Sequence, residues 1–165
     1  MINPVLVGSQ PQESSSVTSG KHAQSEVKVA SPGGNAANGK PDAPQILLVE
    51  DNLINQRLGL VQLKWLGYIG EIAATGQAAI QAVAKTQYRL VLMDCQMPDM
   101  DGLEATRLIR SAEIGTGRHV PIVALTASGL PEDRNACVAA GMDGFLAKPI
   151  DIDQLGDMIT HWMRK

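Results

Sequence analysis

The chain has 165 residues, 14 of them Lys or Arg and 17 Asp or Glu, for a net charge of -3. That length suits about one domain, and the absence of a basic excess or Lys/Arg run argues against nucleic-acid binding. No apolar run approaches the ~18 residues of a membrane helix, and the two cysteines make neither a disulfide framework nor a zinc cluster, so a reducing, cytoplasmic setting is expected.

In chain order, residues 1–44 come first. Gly, Pro, Ser, Asn and Gln fill 23 of these 44 positions and no aromatic residue is present. Such a segment buries too little apolar surface to offset its chain entropy, and a disordered tail or linker is expected. Within it, Gly34 to Lys40 matches seven places of a phosphate-binding loop. Pro41 stands where that loop needs a Mg2+-binding hydroxyl, and no strand precedes it, so the match is dismissed.

From residue 45 to 165 strands and helices alternate. Ile46–Val49, Leu90–Met93, Ile122–Leu125 and Phe145–Ala147 are short continuous apolar runs, as in parallel strands covered on both faces. Ile69 to Ala74 is a weaker run that suits an edge strand. Between them, Ile54, Leu58, Val61 and Trp65 share one helical face, read here as a packing face. Gly67 is placed to end that helix. Thr75 is placed to cap a helix with Ile80 and Val83. Asp101 with Glu104, and Asp151 with Gln154, form capping-box patterns. Pro131 suits a first helical turn and Gly141 a helix end. The order βαβαβαβαβα, with right-handed crossovers, predicts an α/β doubly wound parallel sheet with helices on both faces.

Function in such folds lies at the carboxyl ends of the strands. There the sequence places Glu50 and Asp51, then Asp94, Thr126 and Lys148. Crowded carboxylates repel one another and resist desolvation; a hard cation such as Mg2+ relieves both. An aspartate can act as nucleophile and form an acyl phosphate, whose charge a cation, a lysine and a hydroxyl stabilise.

These residues carry a resemblance. Leu47–Asn52 (LLVEDN), Val91–Gly102 (VLMDCQMPDMDG), Pro121–Ala127 (PIVALTA) and Phe145–Pro149 (FLAKP) resemble the receiver domain of two-component response regulators, over about residues 45–164. The run from Val49 to Gln56 is most similar to receivers of hybrid sensor histidine kinases. The resemblance implies a five-stranded flavodoxin-like sheet of order 2-1-3-4-5. It implies Asp94 as phosphoacceptor and Mg2+ held by Glu50, Asp51, Asp94 and the Gln96 backbone carbonyl. It implies Thr126 and Lys148 on the phosphoryl group, with Thr126 and Phe145 as switch residues. The implied donor is a histidine kinase or histidine phosphotransfer domain. The implied output surface, for a downstream protein, is the face of the fourth helix, fifth strand and fifth helix. The motif wording favours the C-terminal receiver of a hybrid kinase, whose other parts can be membrane-bound, over a stand-alone regulator. The Lys148–Pro149 bond is expected to be cis.

Two rivals are weaker. A dehalogenase-type phosphatase wants Asp-x-Asp after its first strand, and Glu50-Asp51-Asn52 does not supply it. A pure interaction module has no use for the acids, Thr126 and Lys148 together. Asp99 reads as a solvated loop acid, Asp101 as a helix cap, and Cys95 as a loop or core residue. His22, His119 and His161 are scattered, and Trp65 and Trp162 read as packing residues.

Overall fold

The computed structural model describes residues 45–127 and 130–164. The expectations for residues 1–44 lie outside the described residues. Five strands and five helices alternate as the apolar runs predict: β1 (Ile46–Val49), α1 (Leu53–Trp65), β2 (Gly70–Ala73), α2 (Gly76–Lys85), β3 (Leu90–Asp94), α3 (Gly102–Glu113), β4 (Ile122–Thr126), α4 (Pro131–Ala140), β5 (Gly144–Ala147) and α5 (Ile152–Met163). The strands form one sheet in the order β2-β1-β3-β4-β5, every pair parallel. The weak run beside Ile69 becomes edge strand β2. No helix among the described residues is long and apolar enough to cross a membrane.

The continuous apolar runs follow from burial on both faces. Leu47 and Val49 point into one core, with Ala79 and Val83 of α2, Ala105 and Ile109 of α3, and Cys137 of α4. Ile46 and Leu48 point into the other, with Leu63 of α1 and Leu155 and Ile159 of α5. Alternate residues of one strand thus feed two cores, and neither face has room for a polar series.

The predicted helix signals act as read. Thr75 accepts from the Ala78 N–H, Asp101 from Glu104, and Asp151 from Asp153 and Gln154. Pro131 opens α4, and Gly141 closes it with φ +95°, a left-handed conformation costly for any residue with a Cβ. Gly67 lies just past α1 with φ +85°, and the Tyr68 N–H returns to the Leu63 carbonyl.

The packing face of α1 is a correction. Ile54, Leu58, Val61 and Trp65 are 76, 56, 65 and 67% exposed. The buried residues are Gln56, Gly59 and Leu63. A Cβ at Gly59 would collide with the Leu48 side chain, so glycine lets the helix lie close on β1. Gln56 is turned inward to donate to the Glu50 carbonyl at 2.7 Å. Those two contacts fix the rotation of the helix and turn the apolar stripe to solvent. Trp65 is therefore not a packing residue, whereas Trp162 does pack against the α1/α5-side core.

Candidate functional site at the carboxyl ends of the strands

Four strands, β1, β3, β4 and β5, deliver functional groups to the same rim. Glu50 and Asp51 follow β1, Asp94 ends β3, Thr126 ends β4, and Lys148 follows β5. Glu50, Asp94 and Thr126 are buried, at 3, 4 and 6% exposure, whereas Asp51 is exposed. Gln96 lies in the loop beyond β3 and its N–H donates to Asp94 Oδ1 at 3.1 Å. The sequence-predicted acids, Thr126 and Lys148 thus share one rim, while Phe145 lies on β5, half-buried, with the Arg134 guanidinium 4.2 Å from its ring centre.

Lys148 ties the buried acids together. Its ammonium donates to Asp94 Oδ2 at 2.6 Å and to Glu50 Oε2 at 2.7 Å. The peptide bond from Lys148 to Pro149 is cis, as expected. Burial pushes the Glu50 carboxyl up, but hydrogen bonds from Lys148 and Asn55 outweigh it and hold Glu50 below the ordinary carboxylate range. Asp94 goes the other way: burial raises it, and the bonds from Lys148 and the Gln96 N–H only partly offset this. Burial lowers Lys148, yet its two carboxylate partners raise it above a free lysine. The site therefore holds two buried acids around one ammonium. Removing that ammonium strands them: Lys148→Met is expected to lower the melting temperature when divalent cations are chelated. Added Mg2+ should then recover more stability in the variant than in the wild type, because the cation would become the acids' counter-charge. Calorimetry with and without chelator reads both.

Two supporting residues carried no assigned role in the sequence. Asn55 donates to Glu50 Oε1 at 3.1 Å, and Gln56 to the Glu50 carbonyl. Both lie in the first turn of α1, whose cap is Asn52, accepting from the Ile54 and Asn55 N–H groups. The available signal was two amide side chains, five and six residues after an acid, inside an otherwise apolar helix start. Gly102 is a third: a Cβ there would collide with the Asp94 carbonyl oxygen, so α3 needs glycine to pass so close to β3. Cys95, half-buried, keeps its proton, since burial, Cys137 and the Asp94 charge push its thiol up to about 12.

Glu50, Asp51 and Asp94 each bring a carboxylate oxygen within 4.8 Å of the others. Three hard oxygen donors in one cluster, two of them buried, fit a small divalent cation such as Mg2+.

The model of the response regulator receiver domain family matches residues 46–160. The chain belongs to that family. Receivers of this kind act in phosphorelay signalling. Among its relatives, hybrid signal transduction histidine kinase B of Dictyostelium discoideum is 41% identical over 139 residues, covering 79% of this chain and 7% of the kinase. A rice two-component response regulator is 46% identical, over 72% of this chain and 93% of the regulator. The chain spans only 7 to 16% of the length of the first histidine kinases it matches. Among solved structures, the receiver domain of a Pseudomonas aeruginosa sensor histidine kinase is 43% identical with a TM-score of 0.67. It covers 74% of this chain and 100% of its own, with a magnesium ion coordinated in its active-site cleft. A Saccharomyces cerevisiae receiver solved in complex with the histidine phosphotransfer protein Ypd1 is 33% identical, TM-score 0.66, over 72% and 88% of the two chains.

Proposed function

We propose that this receiver takes a phosphoryl group from a partner's phosphohistidine onto Asp94, as the cytoplasmic C-terminal receiver of a hybrid histidine kinase. The observation that carries the reading is the rim itself: Asp94 buried, within reach of Lys148, beside Glu50, Asp51 and Thr126. Glu50, Asp51, Asp94 and the Gln96 carbonyl would hold Mg2+. When bound, the cation supplies charge neutralisation for the transferring phosphoryl oxygens.

In the transfer, an Asp94 carboxylate oxygen attacks phosphorus. The P–N bond to the donor's imidazole breaks and its electron pair stays on that nitrogen. Lys148 leaves Asp94 Oδ2 to pair with a phosphoryl oxygen, and the Thr126 hydroxyl donates to another. Acyl phosphate at Asp94 adds about 1.5–2 negative charges, taking phosphoserine as a guide. Movement of Thr126 toward it would release Phe145 inward and reshape the face of α4, β5 and α5. A cavity of about 530 Å3 lies on that face between Phe145, Asp157, His161 and Trp162, and suits a downstream protein.

The exposed stripe of α1 supports a site for the donor. It begins three residues after Asp51 and carries Arg57 and Lys64 but no acid. A domain that brings a histidine to Asp94 covers this same rim, so its footprint would extend onto the stripe. Val61→Glu is expected to leave labelling by acetyl phosphate unchanged, since an exposed substitution alters stability by less than about 0.5 kcal/mol. Transfer from a phosphorylated histidine phosphotransfer domain should slow several-fold.

The test of the function is labelling of the full chain by acetyl phosphate. Stoichiometric incorporation with Mg2+, and none with chelator, is the expected result. Asp51→Ala should lower Mg2+ affinity sharply, because it removes one of few direct ligands. A Mg2+ titration followed by NMR reads this at Glu50 and Asp94, and no shift there in the wild type would overturn the metal assignment.

A further inference from the structure

The chain has two cysteines, far apart in sequence. The fold brings them into contact. Cys95 follows Asp94 directly, Cys137 lies buried on α4, and their sulfurs are 3.8 Å apart. Both are free thiols. A cavity of about 140 Å3 sits over the pair, bounded also by Gln96, Thr126 and Asp133. Gln96 and Thr126 belong to the phosphoryl rim, so the cavity adjoins the site and gives a small oxidant a way to the sulfurs.

We propose that Cys95 and Cys137 form a reversible disulfide that restrains α4 and slows phosphorylation of Asp94. The regulatory part rests on the function proposed above; bond formation does not. With a hydroperoxide as oxidant, the Cys137 sulfur attacks the peroxide as its thiolate and becomes a sulfenic acid, its proton leaving with the departing hydroxide as water. The second sulfur then attacks the first, and the sulfenic hydroxyl leaves as water with the second thiol's proton. Two thiols and one hydrogen peroxide give one disulfide and two waters.

The bond needs the sulfurs about 2.05 Å apart, so the present contact of 3.8 Å must close by about 1.8 Å. The Cys95 backbone is held to the sheet by its N–H on the Leu125 carbonyl of β4 at 3.0 Å, so its side chain can rotate but its main chain cannot follow. Whatever main-chain movement the bond requires therefore falls to Cys137 and its helix. Drawing α4 toward the rim narrows the space beside Thr126 and Gln96. It also shifts Arg134, which stands over Phe145, and so acts on the same face that phosphorylation would reshape.

The test uses the full chain with hydrogen peroxide, intact-mass measurement under denaturing conditions, and thiol alkylation. The expected product is a monomer lighter by about 2 Da with no alkylatable thiol, restored by dithiothreitol. Its rate of labelling by acetyl phosphate should fall by about fivefold or more, a coupling of ordinary allosteric size. Cys137→Ala and Cys95→Ala should each show neither the mass change nor the slowing. Two thiols that remain alkylatable, a gain of oxygen in place of the 2 Da loss, or a dimer would overturn the pairing. An intramolecular disulfide that leaves the labelling rate unchanged would overturn the regulation. Labelling of the reduced wild type is measured alongside, so failure of the receiver function itself is seen separately from failure of the switch.

Discussion

Asp94→Asn is expected to abolish labelling by acetyl phosphate while leaving the fold intact. Asparagine keeps the shape of the side chain, but its amide oxygen is a far weaker nucleophile and a weaker cation ligand. The amide oxygen still accepts from the Gln96 N–H, and Lys148 keeps its bond to Glu50 at 2.7 Å. Stability at neutral pH should not fall. Burial raises the Asp94 carboxyl above its ordinary value. A carboxyl raised on folding opposes folding once ionised: its unfavourable contribution grows as pH rises from the unfolded toward the folded value and stays in full above it. The neutral amide removes that contribution. The expected pair of results is therefore no phosphoprotein and a melting temperature at pH 7 equal to or above that of the wild type. Labelling of the folded variant equal to the wild type would remove Asp94 as phosphoacceptor.

The sheet and most of the site were legible because both depend on position along the strand. Residues such as Leu47 and Leu48 feed opposite cores, so β1 reads as an unbroken apolar run, and the first polar residue after it, Glu50, marks the rim. The same reading finds Asp94, Thr126 and Lys148. Rotation of α1 was not legible. Periodicity identifies a stripe through Ile54, Leu58, Val61 and Trp65, but the row that packs contains Gln56 and Gly59, which score as polar or neutral. Gln56 is inward because it satisfies the Glu50 carbonyl, and Gly59 because the helix lies so close to Leu48. Neither reason is visible without the partner. The contact of Cys95 with Cys137 was hidden similarly, by a sequence separation of 42 and a crossover connection.

Arg110→Ala is expected to cost as much stability as truncating a core side chain, although Arg110 belongs to neither core. Arg110, on α3, reaches across the opposite end of the sheet from Asp94. Its guanidinium donates to Glu113 at 2.6 Å, Asp143 at 2.7 Å, and the carbonyls of Gly141 at 2.8 Å and Val120 at 3.0 Å. The two acids are committed in turn. Glu113 accepts the Val120 N–H at 2.7 Å, and Asp143 accepts the Ile122 N–H at 2.8 Å. One side chain thus joins the end of α3, the start of β4 and the turn between α4 and β5. Alanine leaves two carboxylates, at 12 and 18% side-chain exposure, without their main cation. His119, 2.8 Å from Asp143, compensates only when protonated. Breaking a buried pair from one side costs about 3–5 kcal/mol, and residual solvent contact places this case near 3. For a domain of this size that is a fall of about 10 °C in melting temperature. Arg110→Lys should recover part of it, since an ammonium meets one acid but not the four acceptors together. Labelling of Asp94 per folded molecule should be unchanged in both variants. A melting temperature for Arg110→Ala within about 2 °C of the wild type would show that this network contributes no more than an exposed ion pair.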